Sequence, residues 1–466
     1  MADELMARSA LELADLVRTG QVAARTLVET ALRRVEELDP TLNALAFVDA
    51  DRALARADRV RPGDERPFAG VPIVVKDSVA QQGLPCTIGS ALFRSYRPTA
   101  DSATVRRLRD AGFILLGRTT MSELGILPTT ESRLTGVTVN PLHSDRTPGG
   151  SSGGSAVAVA AGIVPLAHGG DGGGSLRIPA ACCGLVGLKP SRGRISSAPQ
   201  AGDDPLVTEG GLTHTVADTA ALLDVLAGYE TGDATWAPPP ARSFLSGARA
   251  GLQTRLRIGL ALDPPVPADV HHDYLRAATQ TAQLLEQLGH DVQPAVVPPL
   301  SEPTRQAFDD VWAVLAAEGV DAGGALLERP ATPDDVEPLT WALYEQARSL
   351  DALAYRRAQA ELQRAAREVV RAASPFDVMV TPALAQPPVP PGTITGWLAP
   401  DPLEAIARSD RFSPFTAVWN LTGQPAIVLP LVRDHDGLPL GVQLVGPPAG
   451  EALLLAVAAQ LEEACQ

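Results

Sequence analysis

Apolar positions at helical spacing open the chain. Leu11, Leu13, Leu16 and Val17, then Leu27, Ala31, Leu32, Val35 and Leu38, predict amphipathic helices within residues 1–60, with Asp39-Pro40 ending the second. The period then changes. Val71-Pro-Ile-Val-Val is a short β-branched run fit for a buried strand, and Lys76-Asp77 stands at its end. Residues 104–111 predict a helix, and Phe113-Ile-Leu-Leu the next strand, stopped at Gly117. Residues 156–161 predict an alanine-rich helix and 163–167 a strand. Farther on, 256–262 and 291–297 predict strands flanking a helix over 271–288, and a largely helical stretch follows from 301 to 373. Strands return at 377–380, 426–429 and 441–445, before a closing helix over 451–463.

Strands alternating with helices predict an α/β fold, one large domain over residues 1–466 with a central mixed β-sheet covered by helices on both faces. Within it, 1–60 forms a helical N-terminal segment and 250–373 a β-α-β unit plus a helical insertion. No repeat or low-complexity linker marks a boundary.

Composition removes several function classes. A net charge of −15 argues against a general nucleic-acid binder. No apolar run approaches the roughly 20 residues of a membrane span. The acidic start Met1-Ala-Asp-Glu-Leu lacks a secretory pattern, so a soluble, cytoplasmic protein is expected. Cys86, Cys182, Cys183 and Cys465 form no CxxC pair, and neither a disulfide framework nor a metal site is predicted. The cations say more. Of 39 Lys plus Arg only two are lysines, Lys76 and Lys189. A chain this biased toward arginine keeps lysine where arginine fails, and arginine cannot lose its proton.

Two glycine- and serine-rich loops stand out. Thr147-Pro-Gly-Gly-Ser-Ser-Gly-Gly-Ser155 lets backbone approach a ligand closely, or is simply a serine-capped turn ahead of a helix. No Lys-Ser/Thr follows the glycines, which excludes a Walker phosphate loop. Gly169-Gly-Asp-Gly-Gly-Gly-Ser175 frees the backbone N–H groups of Gly172, Gly173 and Gly174 ahead of a serine, as an oxyanion hole requires. Asp171 and Arg177 read as braces of that loop. A nucleophilic serine needs a base, and none of the seven histidines has a context that favours it. A neutral lysine can serve, at a cost of roughly 4 kcal/mol for bringing its pKa to neutrality. Burial of Lys76 at the end of its apolar strand would do this; a structural ion pair with Asp77 is the other reading.

Val71-Pro-Ile-Val-Val-Lys-Asp, Gly-Gly-Ser-Ser-Gly-Gly, Asp-Gly-Gly-Gly-Ser-Leu-Arg-Ile-Pro-Ala and Gly184-Leu-Val-Gly-Leu-Lys-Pro together resemble the amidase signature family. The resemblance extends through Phe376-Asp-Val-Met-Val-Thr-Pro382 and Asn420-Leu-Thr-Gly-Gln-Pro-Ala426. It implies an amidohydrolase without cofactor or metal. Its catalytic lysine falls on Lys76, its bridging serine, preceded by a cis peptide bond, on Ser151, and its acylated serine on Ser175. Lys189 matches a lysine outside that triad. Gly172 stands where many members have threonine or isoleucine. A glycine there resembles a subgroup that includes 6-aminohexanoate-cyclic-dimer hydrolase.

The implied substrate is a small-molecule amide, cleaved to a carboxylic acid and an amine or ammonia, with neither nucleic acid nor membrane as partner. Members are often homodimers. Gly125, Ile126, Leu127 and Gly150 are the expected substrate-binding positions, with parts of 301–345 as further pocket wall. The alternative within the family is a glutamine amidotransferase A-type subunit supplying ammonia, although Ile178 stands where that subunit usually has glutamine. Outside it, Gly149-Gly-Ser-Ser-Gly153 matches the G-x-S-x-G elbow of α/β-hydrolases, which should follow a strand. A catalytically inactive binding protein on the same fold is the last rival.

Overall fold

The computed structural model describes residues 5–199, 202, 204–252 and 254–465. Its strands are β1 (Leu45–Val48), β2 (Pro72–Lys76), β3 (Ile114–Thr119), β4 (Glu131–Ser132), β5 (Gly136–Val137), β6 (Leu166–Asp171) and β7 (Val186–Lys189). There follow β8 (Thr208–Thr213), β9 (Arg257–Leu260), β10 (Asp291–Pro294), β11 (Val378–Pro382), β12 (Ala426–Arg433) and β13 (Pro439–Val445). Eleven of them form one mixed sheet in the order β1-β3-β2-β6-β8-β7-β12-β13-β11-β9-β10, and β4 pairs with β5 alone. Parallel pairing joins β3, β2 and β6 on one side and β11, β9 and β10 on the other, while the strands between run antiparallel. This is the expected α/β architecture.

The elements follow their sequences closely where the apolar period is clear. The run at 71–75 becomes β2, buried along its whole length. The stretch from 301 to 373 becomes three helices, Glu302–Leu326, Pro338–Arg348 and Ala352–Ala373. Glycine and proline depart from the sequence expectation at specific points. The helix Ala24–Leu42 runs past Pro40 and ends at Asn43, whose φ of 52° is left-handed. Asp39 makes this tolerable: its carbonyl accepts the Asn43 N–H and its carboxylate accepts those of Ala44 and Leu45, so the broken turn is re-satisfied. The expected strand at 163–167 lies later, because the first half of the second glycine loop is itself strand β6.

The apolar pattern does not predict β1, β7 or β8. β8, Thr-Glu-Gly-Gly-Leu-Thr, has no apolar run, and its partners on both sides hold it in the sheet. β3 does not stop at Gly117 but continues through it. A Cβ there would lie 2.1 Å from the Phe47 carbonyl oxygen of β1, so the glycine admits the edge strand rather than ending its own. Gly117→Ala should therefore cost about 1–3 kcal/mol by forcing β1 away. Chemical denaturation should show the loss, and an unchanged midpoint would mean that β1 yields freely.

Candidate active site

Lys76 ends β2 and Asp171 ends the neighbouring parallel strand β6, so both emerge at one edge of the sheet. Because β2 is apolar and enclosed, it carries Lys76 into the interior, where the residue is 4% exposed. Loss of water around the ammonium pushes its pKa down to about 7, against the opposing pull of Asp171 and Glu209. Asp77 does not pair with Lys76. Its carboxylate lies 3.5 Å from the Arg118 guanidinium and accepts from Thr87.

Lys76 Nζ is 2.8 Å from Ser151 Oγ, and Ser151 Oγ is 3.0 Å from Ser175 Oγ. The Gly150–Ser151 peptide is cis. Ser151 sits just ahead of the buried helix Gly153–Ala160, and Ser175 just ahead of the buried helix Arg177–Cys183. Both glycine-rich loops thus enter helices, and the tertiary fold brings them together over Lys76. Histidines of this region face elsewhere: His168 Nε2 lies 3.4 Å from the Glu209 carboxylate and His214 Nε2 is 3.1 Å from the Val159 carbonyl oxygen. No strand leads into Ser151, as the α/β-hydrolase elbow would need.

The loop between β6 and Ser175 is held by a buried ion pair. Arg177 Nε and Nη2 donate to the two Asp171 carboxylate oxygens at 3.0 and 2.9 Å. Asp171 also accepts the N–H groups of Gly174 and Leu176, at 2.8 and 3.1 Å. Arg177 holds the Asp171 carboxyl well below the usual carboxylate range despite burial. The Gly174 N–H is thereby committed to the loop's own bracing. Among the described residues, the N–H groups of Gly172, Gly173 and Ser175 have no acceptor. Gly174 has φ 134°, and a Cβ on it would meet Thr416 Oγ1 at 2.5 Å.

Ser175 and Gly173 line a pocket with Ile126, Leu127, Pro128, Ile178, Phe308, Trp312, Ile406 and Ala417, to which Asp309, Ser409, Asp410 and Ser413 add polar groups. Of the positions expected from sequence, Ile126 and Leu127 are on this wall. Gly125 instead backs Ser151, whose Oγ lies 3.3 Å from where its Cβ would be. Gly150 packs against the backbone of Thr129 and is not among the lining residues. The Ile406–Ala417 wall carries no motif that sequence reasoning could have found. Phe308 and Trp312, four apart on one helix, fall in the segment expected only broadly; their shared helical face was the available signal. Gly172 has its reason here: a Cβ would come within 3.0 Å of Val207 and 3.2 Å of the Trp312 ring. Elsewhere, His271, His272 and Asp273 bring potential metal ligands within 4.8 Å of one another, on a helix start remote in sequence from these loops. Among the described residues, no helix is long and apolar enough to cross a membrane.

The profile of the amidase family matches residues 26–455. The chain is 38% identical over 473 residues to 6-aminohexanoate-cyclic-dimer hydrolase of Paenarthrobacter ureafaciens, covering 97% of this chain and 93% of that one. The solved structure of a 6-aminohexanoate cyclic dimer hydrolase in complex with its substrate superposes with a TM-score of 0.93 at 36% identity, covering 99% and 97% of the two chains. The glutamyl-tRNA(Gln) amidotransferase protein of Thermotoga maritima is more distant, with a TM-score of 0.76 at 26% identity over 97% and 94%.

Asp171→Ala would strand Arg177 as a buried unpaired cation, so stability should fall by about 3–5 kcal/mol. Asp171→Asn, which keeps an acceptor for Arg177, should lose less. Denaturation midpoints read both, and equal losses would remove the ion pair as the loop's anchor.

Proposed function

This chain belongs to the amidase family and is an amide-cleaving hydrolase, and from that premise we propose that Ser175 is its acylated nucleophile, with Ser151 and Lys76 as the proton relay. The observation that carries this reading is the unbroken contact from Lys76 Nζ through Ser151 Oγ to Ser175 Oγ, ending at a hydroxyl that opens on the pocket. With Lys76 protonated, hydrogen bonds run outward: the ammonium donates to Ser151, and Ser151 donates to Ser175. Loss of one proton from Lys76 lets the chain reverse, so that Ser175 donates to Ser151 and Ser151 to the amine. A lysine pKa near 7 keeps both forms accessible.

In the reversed state Ser175 Oγ attacks the amide carbonyl, and its proton passes by way of Ser151 to Lys76. The unengaged N–H groups of Gly172, Gly173 and Ser175 receive the developing oxyanion; Gly174 contributes by tying the loop to Asp171. Ser151 then returns a proton to the leaving nitrogen, the demanding step for an amide. The amine departs, and water attacks the acyl-enzyme by the same relay to give the carboxylic acid. Side chains and backbone supply every step. The substrate on this reading is a small molecule seated against Ile126 and Leu127. That all eleven strands of the large sheet span positions 45–445 supports reading 1–466 as one amidase domain.

The base must be neutral to accept a proton, so kcat/KM on an amide should be low below neutrality, rise through about pH 7 and level off above it. Lys76→Ala should lose about a thousandfold in kcat, and Lys76→Arg, protonated throughout, should not recover it at any pH. A serine-directed fluorophosphonate should add one mass increment to the wild type and none to Ser175→Ala. Labelling that persists in Ser175→Ala and tracks Ser151 would sink the assignment.

A further inference from the structure

The amidase reading leaves one part of the pocket unused: two carboxyl groups, those of Asp309 and Asp410. Asp309 stands on the helix Glu302–Leu326 between Phe308 and Trp312, and Asp410 on the helix Glu404–Phe412 beside Ser409. Both line the cavity that holds Ser175. That this cavity takes a ligand follows from the buried nucleophile at its wall, independently of the acids. Among the described residues, neither carboxyl makes a hydrogen bond or an ion pair. The neighbouring Asp310 differs, accepting from Gln306 and Gln346 at 3.0 and 3.2 Å. Arg305 of the same helix donates to Glu302, has an unpartnered Nε, and bears on both acids only through its charge.

Two carboxyl groups lining one cavity, Asp309 partly buried and Asp410 exposed, disfavour joint ionisation. Burial, then the charges of Asp410 and Asp310, push Asp309 up to about 7, with Arg305 pulling the other way and Glu302 adding to the rise. Desolvation pushes Asp410 up to about 6 against Arg305 and Arg411. A cation entering this cavity favours the ionised form of both. The rings beside it suit the same guest. Phe308 and Trp312 stack with centroids 5.9 Å apart and line the cavity, and an ammonium against an aromatic face is attracted by the ring quadrupole. Ile126, Leu127 and Ile406 on the same wall are apolar and fit a hydrocarbon spacer.

We propose that the Ser175 cavity selects amides carrying a protonated amine, with Asp309 and Asp410 as the charge-recognising residues and Phe308 and Trp312 as the ring faces beside them. This rests on the amidase reading for the presence of a substrate, and assigns the substrate's charge.

The test separates the two. Titration calorimetry with Ser175→Ala, which cannot turn over its ligand, compares probes of equal length that differ only in a terminal ammonium or methyl. On the acyl side these are the p-nitroanilides of ω-aminooctanoic and nonanoic acids; on the amine side, N-(ω-aminopentyl)acetamide and N-hexylacetamide. In at least one pair the cationic probe should bind on the order of tenfold more tightly. That ratio should fall to about one when Asp309→Asn or Asp410→Asn is added, and because it is taken within each variant, a general loss of affinity cancels. Equal or weaker binding of the cation in both pairs, absence of binding by either cationic probe, or a preference that survives both substitutions would overturn the proposal. The fluorophosphonate adduct on wild type judges Ser175 separately, so either conclusion can fail while the other stands.

Discussion

Asp171 and Arg177 are wholly buried, six residues apart, and between them they organise the edge of the sheet where the chemistry is proposed. Taking both charges out of water is expensive, and such a pair persists only when every remaining donor and acceptor is matched. Here they are. Beyond their mutual bonds, Arg177 donates to the Thr416 carbonyl, to Gln443 of β13 and to Asn420. Asn420 in turn donates to the Asp171 carboxylate and to the carbonyls of Asp171 and Leu206. The N–H groups on either side of Ser175, those of Gly174 and Leu176, end on the same carboxylate. Ser175 therefore has little freedom to move, and Gly172 and Gly173 are left with N–H groups facing no protein acceptor. The same network reaches the segment around Thr416, so the loop and one wall of the pocket are fixed by a single set of bonds.

The two lysines show why a shifted pKa does not identify a catalytic group by itself. Burial lowers both to about 7. Lys189, at the end of β7, spends its ammonium on the Pro190 carbonyl oxygen at 2.8 Å and meets no nucleophile. Lys76 meets Ser151. What separates them is the neighbour, and the neighbour is set by which loops the sheet brings to which strand end. The scarcity of lysine in the sequence pointed at both residues; only Lys76 has a partner through which a lost proton could matter.

The pocket divides in a similar way between local and distant contributions. Ile126 and Leu127 come from a loop close in sequence to Ser151 and were legible as pocket candidates. The opposite wall comes from the helices Glu302–Leu326 and Glu404–Phe412, both far along the chain. Its aromatic pair and its two aspartates carry no motif. Trp312 also explains Gly172, since a larger residue there would have to displace the ring. The glycine at this point of the loop is thus coupled to a side chain about 140 residues away.

Sequence alone settled the α/β class, the family, and the identity of Lys76, Ser151 and Ser175 as residues to watch. Each of these depends on local chemistry: an apolar run that must be buried, glycines that expose backbone, a lysine kept where arginine would not serve. It did not settle where a proline or glycine ends an element. Pro40 lies inside a helix because Asp39 repairs the turn, and Gly117 lies inside a strand because β1 needs the space. Nor did it reveal β8, which has no apolar signature and exists through its pairing with β6 and β7. The contact from Lys76 through Ser151 to Ser175 and the meeting of Asp309 and Asp410 on one cavity belong to the tertiary structure. Both join residues of separate elements, and only the packing of those elements brings them together.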